Sequence, residues 1–404
     1  MSLIRGKIID LAYGGKGVMK NPDQPVVFIP FTAPGEDVEC EVIQVKKNYF
    51  EALPRKIFKP SSERVTPPCP YFGTCGGCQL QHLNYETQIQ HKQKVVQNFI
   101  QRIYPNVNVS ISRASPIWAY RRHVTLTIRQ GQLGYYALDN LTLIEVEECP
   151  IFTSQKNPIF NLIRRLVSSF SEGKVKILKT VANEYILSFH FKEVPRNFWA
   201  LAEEIFFDPI IGIRANSIKK GVTETKVTVD GIEFVVDPSI FIQVHPEQSE
   251  QIYKEIKKYF MKIPARILLD LYCGIGISSV LVAPYARQIF GVEMDRRAIE
   301  IARTKKFSHI HFQAKDVRAA LSLLLSKHPD AAIINPPREG IDRKVAEKIS
   351  ISRLERIVYV SCQPATLMRD LQIFNEQKFK LVNVQAFDMF PQTGHVETLA
   401  ILER

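Results

Sequence analysis

The stretch Arg356 to Asp370, RIVYVSCQPATLMRD, places a thiol where an open α/β sheet can use one. Ile357 to Val360 make an apolar, β-branched run of the kind buried in parallel sheets. Pro364 cannot continue a strand ladder, and Thr366 to Asp370 begin a helical pattern. Cys362 therefore falls at a strand-to-helix turn, on the carboxyl edge where such sheets hold their ligands. A free cysteine is often only a small buried hydrophobe. Here the unpaired amides of a helix start favour an anion, which predicts a lowered thiol pKa. A second set of sulfurs lies upstream. Cys69, Cys75 and Cys78 are spaced C-x5-C-x2-C, Gly76-Gly77 lets the backbone wrap tightly, and Cys149-Pro150 follows much later. Thiolates are soft ligands that suit zinc or iron–sulfur clusters. Structural zinc sites usually arrive as two short paired knuckles, whereas three clustered cysteines with a distant Cys-Pro look more like a [4Fe–4S] cradle. Cys40 and Cys273 stand outside this pattern and read as packing residues.

The elements that must position these groups can be read from Ala265 onward. The run ARILLDL predicts a strand, followed by Tyr272-Cys273-Gly274-Ile275-Gly276 and a helix from Ser278. A second strand ends at Glu293 and a third at Asp316, each followed by a helical pattern. The strand AAII is capped by Asn335-Pro336-Pro337-Arg338-Glu339-Gly340. Strands alternating with helices predict a parallel, doubly wound sheet. The Gly-x-Gly turn lets backbone approach a ligand closely, and Glu293 can accept both hydroxyls of a ribose. Ser279 stands where a dinucleotide fingerprint would have its third glycine. S-adenosylmethionine, which needs no pyrophosphate contact, fits this turn better.

Upstream, residues 4 to about 58 predict a five-stranded barrel of the oligonucleotide-binding kind, with short strands and recurring turns. Lys16, Lys20, Lys46 and Lys47 alternate with Tyr13 and Tyr49, as phosphate tracking and base stacking would require. After the linker FKPSSERVTPP, Asn84 to Tyr104 predict an amphipathic helix. Trp118 to Tyr136 predict strands around a Gln-Gly turn. There Arg121, Arg122, His123 and Arg129 mix with Tyr120, Tyr135 and Tyr136, a pattern suited to single-stranded RNA. From Ile151 to Val229 helix and strand patterns alternate without a catalytic signature. The chain's 404 residues allow two to four domains, and the boundaries fall at 1–58, 59–235 and 236–404. The net charge of +12 points to a polyanionic partner. No apolar run reaches the roughly 18 residues of a membrane span, and the first residues carry no secretory apolar segment. We therefore expect a cytoplasmic protein with reduced thiols, no membrane partner and no obligate protein partner.

Taken together, these motifs resemble the S-adenosylmethionine-dependent RNA uracil-5 methyltransferases. More narrowly, they are similar to the branch with a TRAM domain and a four-cysteine iron–sulfur cluster that methylates 23S ribosomal RNA. The resemblance rests on C-x5-C-x2-C with Cys149-Pro150, YRRH, Phe241-Ile242-Gln243-Val244, DLYCGIG, NPPREG, SCQPATLMRD and GHVETLAIL. It implies a Rossmann-like α/β methyltransferase domain, an N-terminal OB-like (TRAM) barrel and an α+β central domain. It further implies Cys362 as nucleophile and Glu397 as base, with Gln243, Tyr272, Gly274, Glu293, Asp316 and Asn335 around the cofactor. Cys69, Cys75, Cys78 and Cys149 would hold a [4Fe–4S] cluster. Asn335 departs from the family's aspartate, keeping an acceptor but losing the charge. The implied substrate is a single-stranded or flipped-out uridine. The rival readings are a tRNA uridine-54 methyltransferase and a non-catalytic RNA-binding or assembly protein that keeps the fold.

Overall fold

A computed structural model describes residues 2–22, 24–153 and 157–404. The chain begins with β1 (Leu3–Leu11), β2 (Gly17–Met19), β3 (Val26–Ile29), β4 (Asp37–Val45) and β5 (Tyr49–Lys59). These close into a barrel in the order β1-β2-β3-β5-β4, which leaves no free sheet edge. Inward positions on alternating strands supply its core, with Ile8, Met19, Val27, Ile29, Val38, Cys40 and Ala52 all buried. The tight β1–β2 connection needs left-handed backbone at Gly14 and Gly15 (φ +88° and +86°), which glycine adopts without steric penalty.

The linker leads into α1 (Tyr85–Ile100), whose first turn is capped by Asn84 accepting from the Thr87 amide at 2.8 Å. The helix stops at Ile100, short of the expected Tyr104. It is followed by β6 (Ser110–Ser112). A seven-stranded sheet then comprises β7 (His123–Arg129), β8 (Gln132–Tyr136), β9 (Leu143–Glu145), β10 (Glu172–Lys179), β11 (Tyr185–His190), β12 (Ile210–Ala215) and β13 (Ile218–Gly221), in the order β13-β12-β11-β10-β7-β8-β9. Two helices, α2 (Ile159–Val167) and α3 (Phe198–Glu204), add Phe160, Ile163 and Phe198 to a core with Phe152 and Phe189. A ribbon of β14 (Thr225–Val229) and β15 (Ile232–Val236) follows.

The remaining elements are α4 (Pro246–Lys262), β16 (Ala265–Leu271), α5 (Ile277–Val282), β17 (Ala286–Glu293), α6 (Arg296–Ala302), β18 (Ile310–Ala314), α7 (Val317–Leu325), β19 (Ala331–Ile334), α8 (Arg343–Ser350), β20 (Arg356–Ser361), α9 (Pro364–Glu376), β21 (Lys380–Phe387) and β22 (Glu397–Glu403). Their seven strands, joined by β6, form an eight-stranded sheet in the order β18-β17-β16-β19-β20-β22-β21-β6. β22 is antiparallel to both of its neighbours. The chain switches direction of travel between β16 and β19, which opens the ligand crevice at their carboxyl ends. Continuous apolar strands such as β19 and β20 are buried on both faces, as helices on either side require.

One arrangement differs from the sequence-based expectation. Residues 85–112, placed with the central segment by sequence, contribute α1 and β6 to the last sheet. Val96, Ile100 and Val109 pack into its core, and β6 pairs parallel to the edge strand β21. Three residues reading Ser-Ile-Ser carry too little pattern to reveal a strand. Among the described residues, no helix is long and apolar enough to cross a membrane.

Candidate active site

Strand register brings the two expected catalytic groups together. Ser361, the last residue of β20, lies opposite Thr398 in antiparallel β22. Extending that register by one residue sets Cys362 across from Glu397. The sheet thus converts a separation of many residues in sequence into a single step across a ladder. Glu397 is 2% exposed, while Cys362 is half-buried. Burial, then the Glu397 charge, pushes the Cys362 thiol up to about 11, and the nearby Arg338 guanidinium draws it back. This corrects the lowered thiol pKa expected from the helix start, because desolvation and a neighbouring carboxylate outweigh the first amides of α9. Burial also raises Glu397 to about 8, again opposed by Arg338.

The turn after β16 is built on a buried carboxylate. Asp270 accepts from the Ser278 and Ser279 hydroxyls at 2.5 and 2.6 Å, tying the strand end to the first turn of α5. Its own pKa is pushed up to about 6 by burial. Tyr272, Gly274 and Gly276 all take left-handed backbone (φ +62°, +53° and +77°). At Gly274 a Cβ would meet no atom of the described residues within 4 Å, so the turn faces open space. The Glu293 carboxylate is fixed beside it by the amides of Gly274 (3.2 Å), Met294 (2.7 Å) and Asp295 (3.0 Å). Asp316 caps α7 through the Ala319 amide at 3.0 Å and remains exposed. The Tyr272 phenol is raised to about 12, by burial first and then by Asp316, Asp342, Asp370 and Glu293. Gln243, Ser278, Tyr253, Asn335 and Val360 share one small cavity. The six expected cofactor-side residues therefore gather along the carboxyl ends of β16, β17, β18 and β19, with Gln243 reaching in from the segment before α4.

Comparison with known proteins decides what this arrangement belongs to. Residues 222–404 match the family described as tRNA (Uracil-5-)-methyltransferase, and residues 6–53 match the TRAM domain. An uncharacterized RNA methyltransferase of Protochlamydia amoebophila is 38% identical over 428 aligned positions, covering 99% of this chain and 98% of that protein. The chain belongs to the RNA (uracil-5-)-methyltransferase family. Another RNA methyltransferase, from Halalkalibacterium halodurans, is 31% identical and covers 98% of this chain and 96% of its own length. In fold the methyltransferase is similar to Pyrococcus abyssi tRNA (uracil-54, C5)-methyltransferase in complex with S-adenosyl-L-homocysteine. The TM-score is 0.76 at 23% identity, over 99% of this chain and all of that one.

The four upstream cysteines of the methyltransferase line one cavity of about 330 Å³, together with Tyr71, Arg121, His123 and Tyr135. Among the described residues no three Cys, His, Asp or Glu side chains stand close enough to hold a single metal ion. Around this cavity, among the described residues, Gln81 Oε1 and His123 Nδ1 are buried without a hydrogen-bond partner. This overturns the reading of the YRRH stretch as an RNA-facing surface. Tyr120 is 3% exposed, stacks on His245 with centroids 4.8 Å apart and donates to the Pro391 carbonyl at 3.0 Å. Arg121 and Tyr135 turn towards the sulfurs, leaving Arg129 and Tyr136 exposed.

Tyr13 is a second correction. It turns away from the barrel's outer surface and is half-buried against the catalytic unit. Sequence reasoning also missed Arg338 and Gln363, although both lie inside motifs it had marked. Nothing in NPPREG or SCQPATLMRD indicates which side chain reaches the thiol until the strands are placed.

Proposed function

We propose that this chain methylates carbon 5 of a uridine in 23S ribosomal RNA, with Cys362 as nucleophile and Glu397 as general base. The observation that supports this reading is the Ser361–Thr398 pair that ends the β20–β22 ladder, one residue short of Cys362 and Glu397, at the edge where Gly274 and Glu293 also lie. Carbon 5 of uracil is a weak nucleophile. Addition of the Cys362 thiolate to carbon 6 breaks the 5,6 double bond and makes carbon 5 electron-rich, dividing one hard step into two easier ones. After methylation, Glu397 takes the proton from carbon 5, the electron pair re-forms the double bond, and the thiolate leaves. A base with pKa about 8 is well matched to that work near neutral pH.

The residues present fit S-adenosylmethionine. Gly274 leaves open space over the turn, and the fixed Glu293 carboxylate has lone pairs left for ribose hydroxyls. Tyr272, Gln243, Asp316 and Asn335 would line the rest. When bound, the cofactor supplies an electrophilic methyl group.

The four-cysteine cavity fits a polynuclear cluster better than one ion. It is wide, it gathers four sulfurs, and among the described residues the buried Gln81 Oε1 and His123 Nδ1 at its wall have no hydrogen-bond partner. We propose that Cys69, Cys75, Cys78 and Cys149 hold a [4Fe–4S] cluster that ties the linker to the central sheet. Anaerobically purified protein should then contain about four irons and four sulfides per chain, and Cys69→Ser should lose them. Iron-free protein from such a preparation would remove the cluster from the account.

Ribosomal RNA and a cytoplasmic setting are proposed on the resemblance to the branch that joins a TRAM barrel to a four-cysteine site. Two experiments test the function. Cys362→Ala should bind RNA without methyl transfer or a covalent adduct, and Glu397→Gln should accumulate an adduct that survives denaturing gels. Mapping the 5-methyluridine lost on gene deletion decides the RNA. A loss at tRNA position 54 would replace the ribosomal assignment.

A further inference from the structure

The turn between β1 and β2 of the barrel is docked on the catalytic edge at two points. The Tyr13 hydroxyl donates to Gln363 Oε1 at 2.5 Å, and Gln363 directly follows Cys362. Next to it, the Gly14 backbone lies against Gly394, three residues before Glu397. A Cβ on Gly394 would sit 2.4 Å from the Gly14 carbonyl carbon. The barrel is held in this pose by the exposed Lys94–Asp10 ion pair at 2.7 Å and by Tyr13 meeting Phe99 of α1 edge-on, with centroids 6.3 Å apart. One small turn thus touches the segments that carry both proposed catalytic groups.

We infer that Tyr13 is a positioning residue of the catalytic site, contributed by the RNA-binding barrel, which acts by fixing the Gln363 side chain beside Cys362. A neutral phenol can hold the glutamine carbonyl as donor, leaving the amide N–H groups as the part that can meet a carbonyl of the target base. Gln363 is the residue before Pro364 at the start of α9, so its backbone is already set by the turn. Only its side-chain torsions remain free, and the Tyr13 bond removes that freedom. The uridine pocket is therefore incomplete without the barrel, which goes beyond gripping RNA at a distance. This inference rests on the proposed roles of Cys362 and Glu397 and deepens them.

The test is a double-mutant cycle on full-length protein, using Tyr13→Phe and Gln363→Leu. Tyr13→Phe keeps the ring against Phe99, so its melting temperature should fall by no more than the few degrees one lost hydrogen bond allows. Losing one orienting hydrogen bond should lower kcat by about 2- to 10-fold while RNA affinity and KM stay unchanged. Gln363→Leu should lose at least as much, and the double variant no more than Gln363→Leu alone. Three results would each overturn the inference: a Tyr13→Phe loss confined to KM, an unchanged kcat, or losses that multiply in the double variant. Every protein in the cycle keeps Cys362 and Glu397. A failed cycle therefore removes the role of Tyr13 alone, whereas turnover by Cys362→Ala removes the nucleophile.

Discussion

Replacing Arg338 by methionine isolates what makes the Cys362 thiol reactive. With its pKa at about 11, the thiol is ionised to about one part in ten thousand at pH 7. Burial and Glu397 both oppose the anion, and Arg338 is the nearby cation that favours it. The size of its effect can be bracketed. A fully exposed ion pair contributes about 0.2–1 kcal/mol, which is less than about fivefold in rate. A buried hydrogen bond to a charged group contributes about 1.5–3 kcal/mol, or roughly 10- to 100-fold. Arg338 is exposed at the site mouth while Cys362 is half-buried, so the effect should fall between these, at about tenfold. The assay is covalent capture of RNA carrying 5-fluorouridine, whose carbon 5 has no proton for Glu397 to remove. Arg338→Met should slow adduct formation about tenfold, and Arg338→Lys should recover part of that. In all three proteins the rate should still be rising at pH 9, since the reactive thiolate is scarce below its pKa. Capture by Arg338→Met at the parental rate would show that Arg338 does not favour the thiolate, and a parental rate that levels off near pH 6 would show that the thiol is not held at a raised pKa.

Three further outcomes follow from the same packing. The Glu397 carboxyl is raised from 4.5 to about 8, so the folded chain holds its proton where the unfolded chain has lost it. Its stabilising contribution is complete below about pH 4.5 and disappears as pH rises through 8, so Glu397→Gln should raise the melting temperature at pH 8.5 but not at pH 4.5. Lys92 and Asp388 form a fully buried ion pair at 2.5 Å that anchors the segment leading to Glu397. Lys92→Met strands the carboxylate and should cost about 3–5 kcal/mol in denaturant unfolding, with Lys92→Met/Asp388→Leu recovering much of it. At Gly276, φ is +77° and a Cβ would lie 2.6 Å from Phe312 Cζ. Gly276→Ala should lose about 1–2 kcal/mol from the backbone alone, measurable by the same unfolding curve.

The catalytic half was legible because its strands and helices alternate with strong apolar periodicity, and the chemistry sits at strand ends that the pattern marks. Glu293, Gly274 and Cys362 fall where the turns predict them. Pattern does not report direction at the surface of contact between units. Tyr13 and Tyr120 read as stacking platforms because aromatic residues among basic ones look alike whether they face solvent or a neighbouring element. The thiol pKa was misjudged for a related reason. A helix start is visible in sequence, but the desolvation that overrides it depends on how completely β20, β22 and the barrel turn close around the sulfur.

The placement of β6 has a consequence for how the molecule can be divided. β6 covers the outer rim of the catalytic sheet, pairing Ser110 to Ser112 with Gln385 to Phe387. A fragment starting at residue 236 would leave β21 with unpaired amides and carbonyls and would strip α1 from the apolar surface beneath it. Such a fragment should self-associate through that open ladder rather than behave as a minimal enzyme. Cutting this protein for crystallography or engineering therefore has to begin upstream of Tyr85, however clearly the βαβ pattern starts later.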